Sequence, residues 1–288
     1  MRSRLRILPA ALLLVALLPA CSHKGPADIA TLASSSDEVV WEAGQKAAAK
    51  SNWESARQHF KRIVDGFPQS QHGPEARLAL GDSYFKEGGT GNYILAISAY
   101  RDFLTLYPSH PKSDYAQYQV GEGFFLQKSG PDRDQTNTQK ALGEFQRLLE
   151  SYPSSTYTEP ARTRIHDCRQ SLARAEHMAG SFYQRTRRAY RAAIARYEDV
   201  LTDYPDYEKL DEVLYQYSQC LIFMARKAEA APQLDRLLSE YPQSSRANEA
   251  KALQDELVRE GVAPVGSPEG PPAAPPETPP IVPPPPPS

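Results

Sequence analysis

Ala193-Ile194-Ala195-Arg196-Tyr197-Glu198-Asp199-Val200-Leu201-Thr202-Asp203-Tyr204-Pro205 decides the fold, because its apolar residues keep one spacing and its proline closes the run. Ala193, Tyr197, Val200 and Tyr204 are separated by four, three and four residues, which places small, large, large and aromatic side chains on one helical face. Pro205 has no backbone N–H to donate and biases the residue before it away from helical dihedrals, so the helix stops there.

The same pattern occurs five times. Phe67-Pro68, Tyr107-Pro108, Tyr152-Pro153, Tyr204-Pro205 and Tyr241-Pro242 mark the ends of the units. Twelve residues before each proline stand Ala56, Ala96, Ala141, Ala193 and Ala230; eight before stand Phe60, Tyr100, Phe145, Tyr197 and Leu234; five before stand Ile63, Phe103, Leu148, Val200 and Leu237. Eight residues after each proline, Ala76, Ala116, Ala161, Val213 and Ala250 fall inside a second helix, with Ser70, Ser155 and Ser244 placed as turn or capping hydroxyls. Leu80-Gly81 with Tyr84, and Val120-Gly121 with Phe124, fit the Leu-Gly-x-x-Tyr core of the tetratricopeptide pattern; Ala179-Gly180 with Tyr183 is a weaker copy and Ala43-Gly44 leads to Ala56. The glycine is expected to let two helices approach, with the later alanine accepting it.

The prolines are 40, 45, 52 and 37 residues apart, so the array carries insertions. Lys86 to Asn92 and Lys128 to Thr136 read as longer turns, and Glu159 to Tyr183 as one extended helix or two with a slight bend. One pair cannot bury its apolar face alone, so the units stack. The expected fold is an all-α, tetratricopeptide-like helical-repeat solenoid of about five helix pairs over residues 38–257, followed by a disordered proline-rich tail at 258–288.

The ends of the chain speak to its address. Arg2, Arg4 and Arg6 precede an apolar run from Ile7 to Leu18, the pattern of an export signal over residues 1–20. That run is shorter than the roughly 20 residues a membrane-crossing helix needs. Leu18-Pro19-Ala20-Cys21 resembles a bacterial lipobox, with Pro19 in place of the usual Ala or Ser, and makes Cys21 the candidate acylated residue at the head of a tether spanning 21–37. Ordinary cleavage nearby, leaving or removing a free thiol, is the other reading. Of the 26 prolines, 13 lie after Val262, where they act either as a spacer or as a contact for an envelope component.

Without its first twenty residues the chain has 30 cationic against 35 acidic side chains, a balance that argues against a nucleic-acid partner. Cys168 and Cys220 lie fifteen residues after their repeat prolines, where other repeats hold Ser83 and Gly123; they read as two buried thiols or as an exported disulfide. Gly88-Gly89-Thr90-Gly91 lacks the strand and the Lys-Ser/Thr ending of a phosphate loop. His166-Asp167-Cys168 points three ways around a helix and has no second cluster to complete a metal site. Glu150 ends a repeat helix with no separate catalytic domain beside it, and no nucleophile elbow or zinc-protease motif occurs. No cofactor, metal or enzymatic role is expected. Arg185, Arg187, Arg188, Arg191 and Arg196, interleaved with Tyr183, Tyr190 and Tyr197, read either as a solvated face or as a docking surface for an acidic partner.

Asp132-Arg133-Asp134 leading to Ala141-Leu142-Gly143-Glu144-Phe145, the block Ala189-Tyr190-Arg191-Ala192-Ala193-Ile194-Ala195-Arg196-Tyr197-Glu198, and Asp203-Tyr204-Pro205 running to Leu210-Asp211-Glu212-Val213-Leu214-Tyr215 resemble the BamD family of outer-membrane lipoproteins, over about Glu38 to Glu256. The resemblance implies a non-enzymatic scaffold of the β-barrel assembly machinery, anchored to outer-membrane lipid through acylated Cys21 and facing the periplasm; Ser22 after the cysteine agrees with that address. It implies binding of the POTRA region of BamA through Arg196, with Arg188 and Arg191 beside it. It further implies a grip on unfolded outer-membrane β-barrel proteins near Phe67, Arg77, Tyr84 and Tyr118. A periplasmic repeat adaptor for peptidoglycan synthesis or pilus assembly is the alternative of another kind, and a peptidoglycan hydrolase a third.

Overall fold

The computed structural model describes residues 36–262. The export signal, Cys21, most of the tether and residues 263–288 lie outside the described residues; the tail expected from residue 258 starts later, since the last helix runs on to Arg259 and Val262 packs on the core. Within them stand eleven α-helices: α1 (Asp37–Ala49), α2 (Trp53–Gly66), α3 (Gly73–Glu87), α4 (Thr90–Leu106), α5 (Ser113–Phe125), α6 (Thr136–Ser151), α7 (Thr158–Phe182), α8 (Tyr190–Asp203), α9 (Leu210–Phe223), α10 (Lys227–Glu240) and α11 (Ala247–Arg259). They form five pairs, α1/α2 to α9/α10, closed by α11, and each helix packs on the next in the chain. This is an all-α tetratricopeptide-type solenoid.

The repeat register is the core. All fifteen residues at twelve, eight and five places before the prolines are buried, as are Ala76, Ala116, Ala161, Val213 and Ala250 eight places after. Each aromatic before a proline ends its helix: the N–H of Phe67, Tyr107, Tyr152, Tyr204 or Tyr241 reaches the carbonyl four residues back and the chain then turns. Ser70, Ser155 and Ser244 accept the N–H two residues ahead at 3.0–3.1 Å, which shapes the entry to α3, α7 and α11. The serines also staple repeat to repeat: Ser155 donates to Asp114 and Ser244 to Asp211, each an acid in the first turn of an earlier helix. Ser70 holds the Asp37 carboxyl below its usual range in the same manner.

Two details depart from the sequence reading. The small residue of the Gly motif meets an aromatic ring rather than the later alanine. A Cβ on Gly44, Gly81, Gly121 or Gly180 would stand 2.5–2.7 Å from the ring of Phe60, Tyr100, Phe145 or Tyr197, so each glycine is the seat of the large residue eight places before the next proline. The stretch Lys86–Asn92 is not a long turn: α3 runs to Glu87 and α4 begins at Thr90, because Gly88 (φ 76°) and Gly89 (φ 88°) reverse the chain in two residues.

The core divides into three clusters: Val40 to Ala76, Leu78 to Cys168, and Ala173 to Leu257. Helix α7 is 25 residues long and crosses the second boundary, with Ala161 and Cys168 in the middle cluster and Ala173 in the last. Cys168 and Cys220 are free and buried, and burial pushes each thiol up to about 12. No helix of the described residues is long and apolar enough to cross a membrane.

Candidate functional site

The cationic stretch after α7 is displayed by an irregular backbone. Tyr183–Arg187 forms a π turn, and Arg188 closes it in the left-handed region (φ 50°), with the Ala189 N–H on the Tyr183 carbonyl at 3.0 Å. A non-glycine residue held there is strained by roughly 1–2 kcal/mol. The wide turn lets Tyr183 pack on the C-terminal core while Arg185, Arg187, Arg188 and Arg191 all stand exposed. Beneath it Tyr197 is fully buried, its hydroxyl 2.8 Å from the side-chain oxygens of both Gln184 in the turn and Gln216 on α9, and Ser181 donates to that same Gln216 oxygen. Burial raises the Tyr197 phenol, which keeps it a neutral donor.

Arg188 and Arg191 share this corner; Arg196 does not. Five residues along a helix from Arg191 correspond to ~7.5 Å of rise and a ~140° rotation, and Arg196 lies on the seam with α7. There its Nη1 is 2.8 Å from Glu176 and 3.8 Å from Asp199, and its side chain is 42% exposed.

A second surface lies at the N-terminal end. A groove of about 350 Å³ is lined by Trp41 and Gln45 of α1, Trp53 of α2, Leu78, Asp82 and Lys86 of α3 and, among others, Lys112. Trp41 is positioned by its packing, tilted on Phe60 at 5.5 Å and stacked on His72 at 5.2 Å, while His72 reaches Glu38 at 2.8 Å. Lys86 sits 6.0 Å from the Trp53 ring. Asp82 accepts both the Tyr100 and Tyr115 hydroxyls, at 2.7 and 2.8 Å, and burial together with that carboxylate raises both phenols. The groove thus combines indole faces, a fixed carboxylate and two ammonium groups, a surface suited to an extended peptide with aromatic side chains.

The four residues expected to grip substrate lie on several elements from the end of α2 to α5, and none of them lines the groove. Phe67 caps α2 with Arg62 5.9 Å from its ring; Tyr84 lies under Arg57, 4.8 Å away, which is itself held by Glu54 and Glu87. Tyr118 stacks on Tyr157 at 5.0 Å, and Arg77 is half-buried on α3. The aromatic-Pro register does not single out Trp41 or Trp53. The signal for them is that the only two tryptophans of the chain fall twelve residues apart in its first unit. His166 and Cys168 diverge as helical residues two apart do: Cys168 is in the core and His166 is on the surface, 3.8 Å from Asp206. Among the described residues no three His, Cys, Asp or Glu side chains gather as a metal site.

Both surfaces fall inside a stretch shared with known proteins. A Caulobacter vibrioides protein named outer membrane protein assembly factor BamD is 26% identical over 222 residues, covering 77% of this chain and 71% of the relative. The protein of that name from Xylella fastidiosa is 28% identical over 178 residues, 58% of this chain and 60% of its own length. Among solved structures, the TPR domain of P58(IPK) is 15% identical with a TM-score of 0.40, covering 78% of this chain and 56% of that one. Residues 212–244 match a tetratricopeptide-repeat family. Residues 33–221, which hold the groove, the π turn and Arg196, match YfiO, described as outer membrane lipoprotein, and the chain belongs to that family.

Proposed function

We propose that this chain is a non-enzymatic scaffold of the β-barrel assembly machinery, tethered to the outer membrane through acylated Cys21 and exposed to the periplasm. The observation that carries the reading is the family match across residues 33–221, whose curated relatives bear the name of an outer membrane protein assembly factor. The two surfaces divide the work. The arginine corner and the half-exposed Arg196 receive an acidic patch on the POTRA region of BamA, with a partner carboxylate joining Glu176 on the Arg196 guanidinium. The N-terminal groove takes an extended, aromatic-bearing segment of an unfolded β-barrel protein. Trp41, Trp53, Lys86 and Lys112 line it, and Phe67, Arg77, Tyr84 and Tyr118 are the further residues assigned to the substrate.

A mild-detergent pull-down of the tagged chain from washed membranes tests this. BamA is expected in stoichiometric amounts, reduced at least tenfold by the double variant Arg188→Glu, Arg191→Glu and by Arg196→Glu, with unchanged helical circular dichroism. Full recovery of BamA with both variants removes the assigned corner; enrichment of peptidoglycan or pilus proteins instead of BamA removes the function. Cys21→Ala should move the chain into the soluble wash, and retention on the membrane would remove the anchor.

A further inference from the structure

An aromatic strip stands uncovered at one edge of the C-terminal repeats, where α7 ends, α8 begins, α9 ends, α10 begins and α11 ends. Phe223 is 66% exposed, yet its ring lies flat against Tyr190, 4.7 Å between centroids and 8° between planes. Phe182, 48% exposed, sits edge-on to Tyr183 with Arg187 5.7 Å from its ring. Arg185 and Arg188 are also exposed, in and at the end of the same turn that joins Phe182 to Tyr190.

The chain leaves the described structure at this same edge. Glu260, just past α11, pairs with Lys227 at the start of α10, three residues beyond Met224, and Val262 packs on the C-terminal core. The 26 residues that follow contain 13 prolines and two charged side chains, Glu269 and Glu277. Pro272 and Pro275, then Pro276 and Pro279, are three apart; at three residues per turn, each pair shares one face of a polyproline II helix. From Val262 to Pro272 is ten residues, about 30 Å at ~3.1 Å each, enough to pass two helices packed 8–10 Å apart.

We propose that segment 263–288 docks on its own repeat domain, as a polyproline II helix whose proline pairs pack on Phe182, Tyr190 and Phe223 and whose Glu277 faces the exposed arginines of the π turn. Aromatic-lined slots are the general receptors for such helices, and here the acid is on the ligand and the cations are on the receptor. The short connection makes the encounter intramolecular, with an effective concentration on the order of millimolar, so a contact too weak to hold a free peptide is occupied. Docked there, the tail covers Arg188 and competes with any acidic partner for that corner. The inference does not depend on which partner that is.

The test places a nitroxide on Thr278→Cys in the full chain carrying Cys21→Ser. Cys168 and Cys220 are buried thiols and do not take the label. Backbone amide spectra should lose the signals of Tyr190, Arg191, Phe223 and Met224 while those of α1–α4 keep theirs. Phe223→Ser, an exposed position, and Glu277→Lys, outside the repeat domain, should each restore the lost signals. Signal loss that is absent, that is spread evenly over the domain, or that grows with protein concentration as contact between copies would, overturns the proposal.

Discussion

Glu144 and Arg196 occupy the same place in successive repeats, nine residues before the proline, and they carry opposite charges in mirrored settings. Glu144 has Arg147 three residues on and Arg101 across the seam with α4, at 2.9 and 2.5 Å; Arg196 has Asp199 three residues on and Glu176 across the seam with α7. The difference lies in closure. The Glu144 side chain is 7% exposed and also receives the amide of Gln117 at 2.9 Å, whereas Arg196 is 42% exposed and makes both of its contacts through Nη1. A charge saturated by its neighbours holds two helices together; one left half in water can still bind something else. Both residues sit in the blocks that carry the family resemblance, and only their surroundings separate the structural role of Glu144 from the interface role proposed for Arg196.

Charge reversal at both positions is the most severe way to break this comparison. Glu144→Lys sets a buried ammonium against two guanidiniums and removes the acceptor of Gln117, a loss of about 3–5 kcal/mol. Arg196→Glu disturbs a surface pair and should cost no more than about 1 kcal/mol. Denaturant midpoints of the two variants decide it: equal costs would mean that Arg196 is as much a structural clasp as Glu144, and its assignment to the BamA contact would fall.

Tyr197→Phe sharpens the comparison from the neutral side. Removing the hydroxyl takes away the one proton that the Gln184 and Gln216 oxygens share, while Ser181 still donates to Gln216, a loss of about 1 kcal/mol, the usual net value of a hydrogen bond. Because Gln184 belongs to the π turn, amide exchange should quicken at residues 183–189 more than in α5 and α6. Unaltered exchange there would show that the turn is held by Tyr183 packing and not by the buried network.

The register of the fold was legible because it is local. Period, size alternation and a proline stop placed Ala193, Tyr197 and Val200, with their counterparts in the other units, and all are buried. What lay across seams was not legible. Nothing in the spacing of Gly121 says that it seats the Phe145 ring, since that contact joins residues 24 apart on different helices. The π turn follows from a five-residue stretch with no proline or glycine to announce it, held by Gln184, Tyr197 and Gln216 from three elements. The groove escaped the repeat pattern for a similar reason: beside register residues such as Phe60 it is lined by Trp41, Trp53, Lys86 and Lys112, which the aromatic-Pro register does not mark. The site residues read from resemblance come from several elements that no local pattern joins, whereas those read from periodicity share one buried face of each unit.

The smallest effect separates the two regions by pH. His177 on α7 is 6% exposed, with its Nδ1 3.3 Å from the Tyr207 hydroxyl and its ring edge-on to Tyr197 and Tyr207. Burial lowers its pKa, outweighing Glu212 and Gln216, which favour the charged form, while Lys209 and Arg185 add to the lowering. An unfolded histidine titrates near ~6.5, so below that pH the unfolded chain binds a proton that the folded chain refuses. The stability this residue contributes is therefore whole above ~6.5, declines as pH falls toward the folded pKa and levels off beneath it. Asp206 acts in a separate, more acidic window: Arg169 holds its carboxyl below 3.8, so its contribution persists until pH drops through that lower range. Between pH 7.5 and 5.5, amides of α7, α8 and α9, corrected for intrinsic rates, should lose protection relative to those of α5 and α6, and His177→Gln should remove the difference. A loss of protection that persists in His177→Gln would place the sensitivity elsewhere on the C-terminal repeats. Its removal would show that the half of the solenoid carrying the arginine corner is also the half that loosens when the surrounding medium turns acidic.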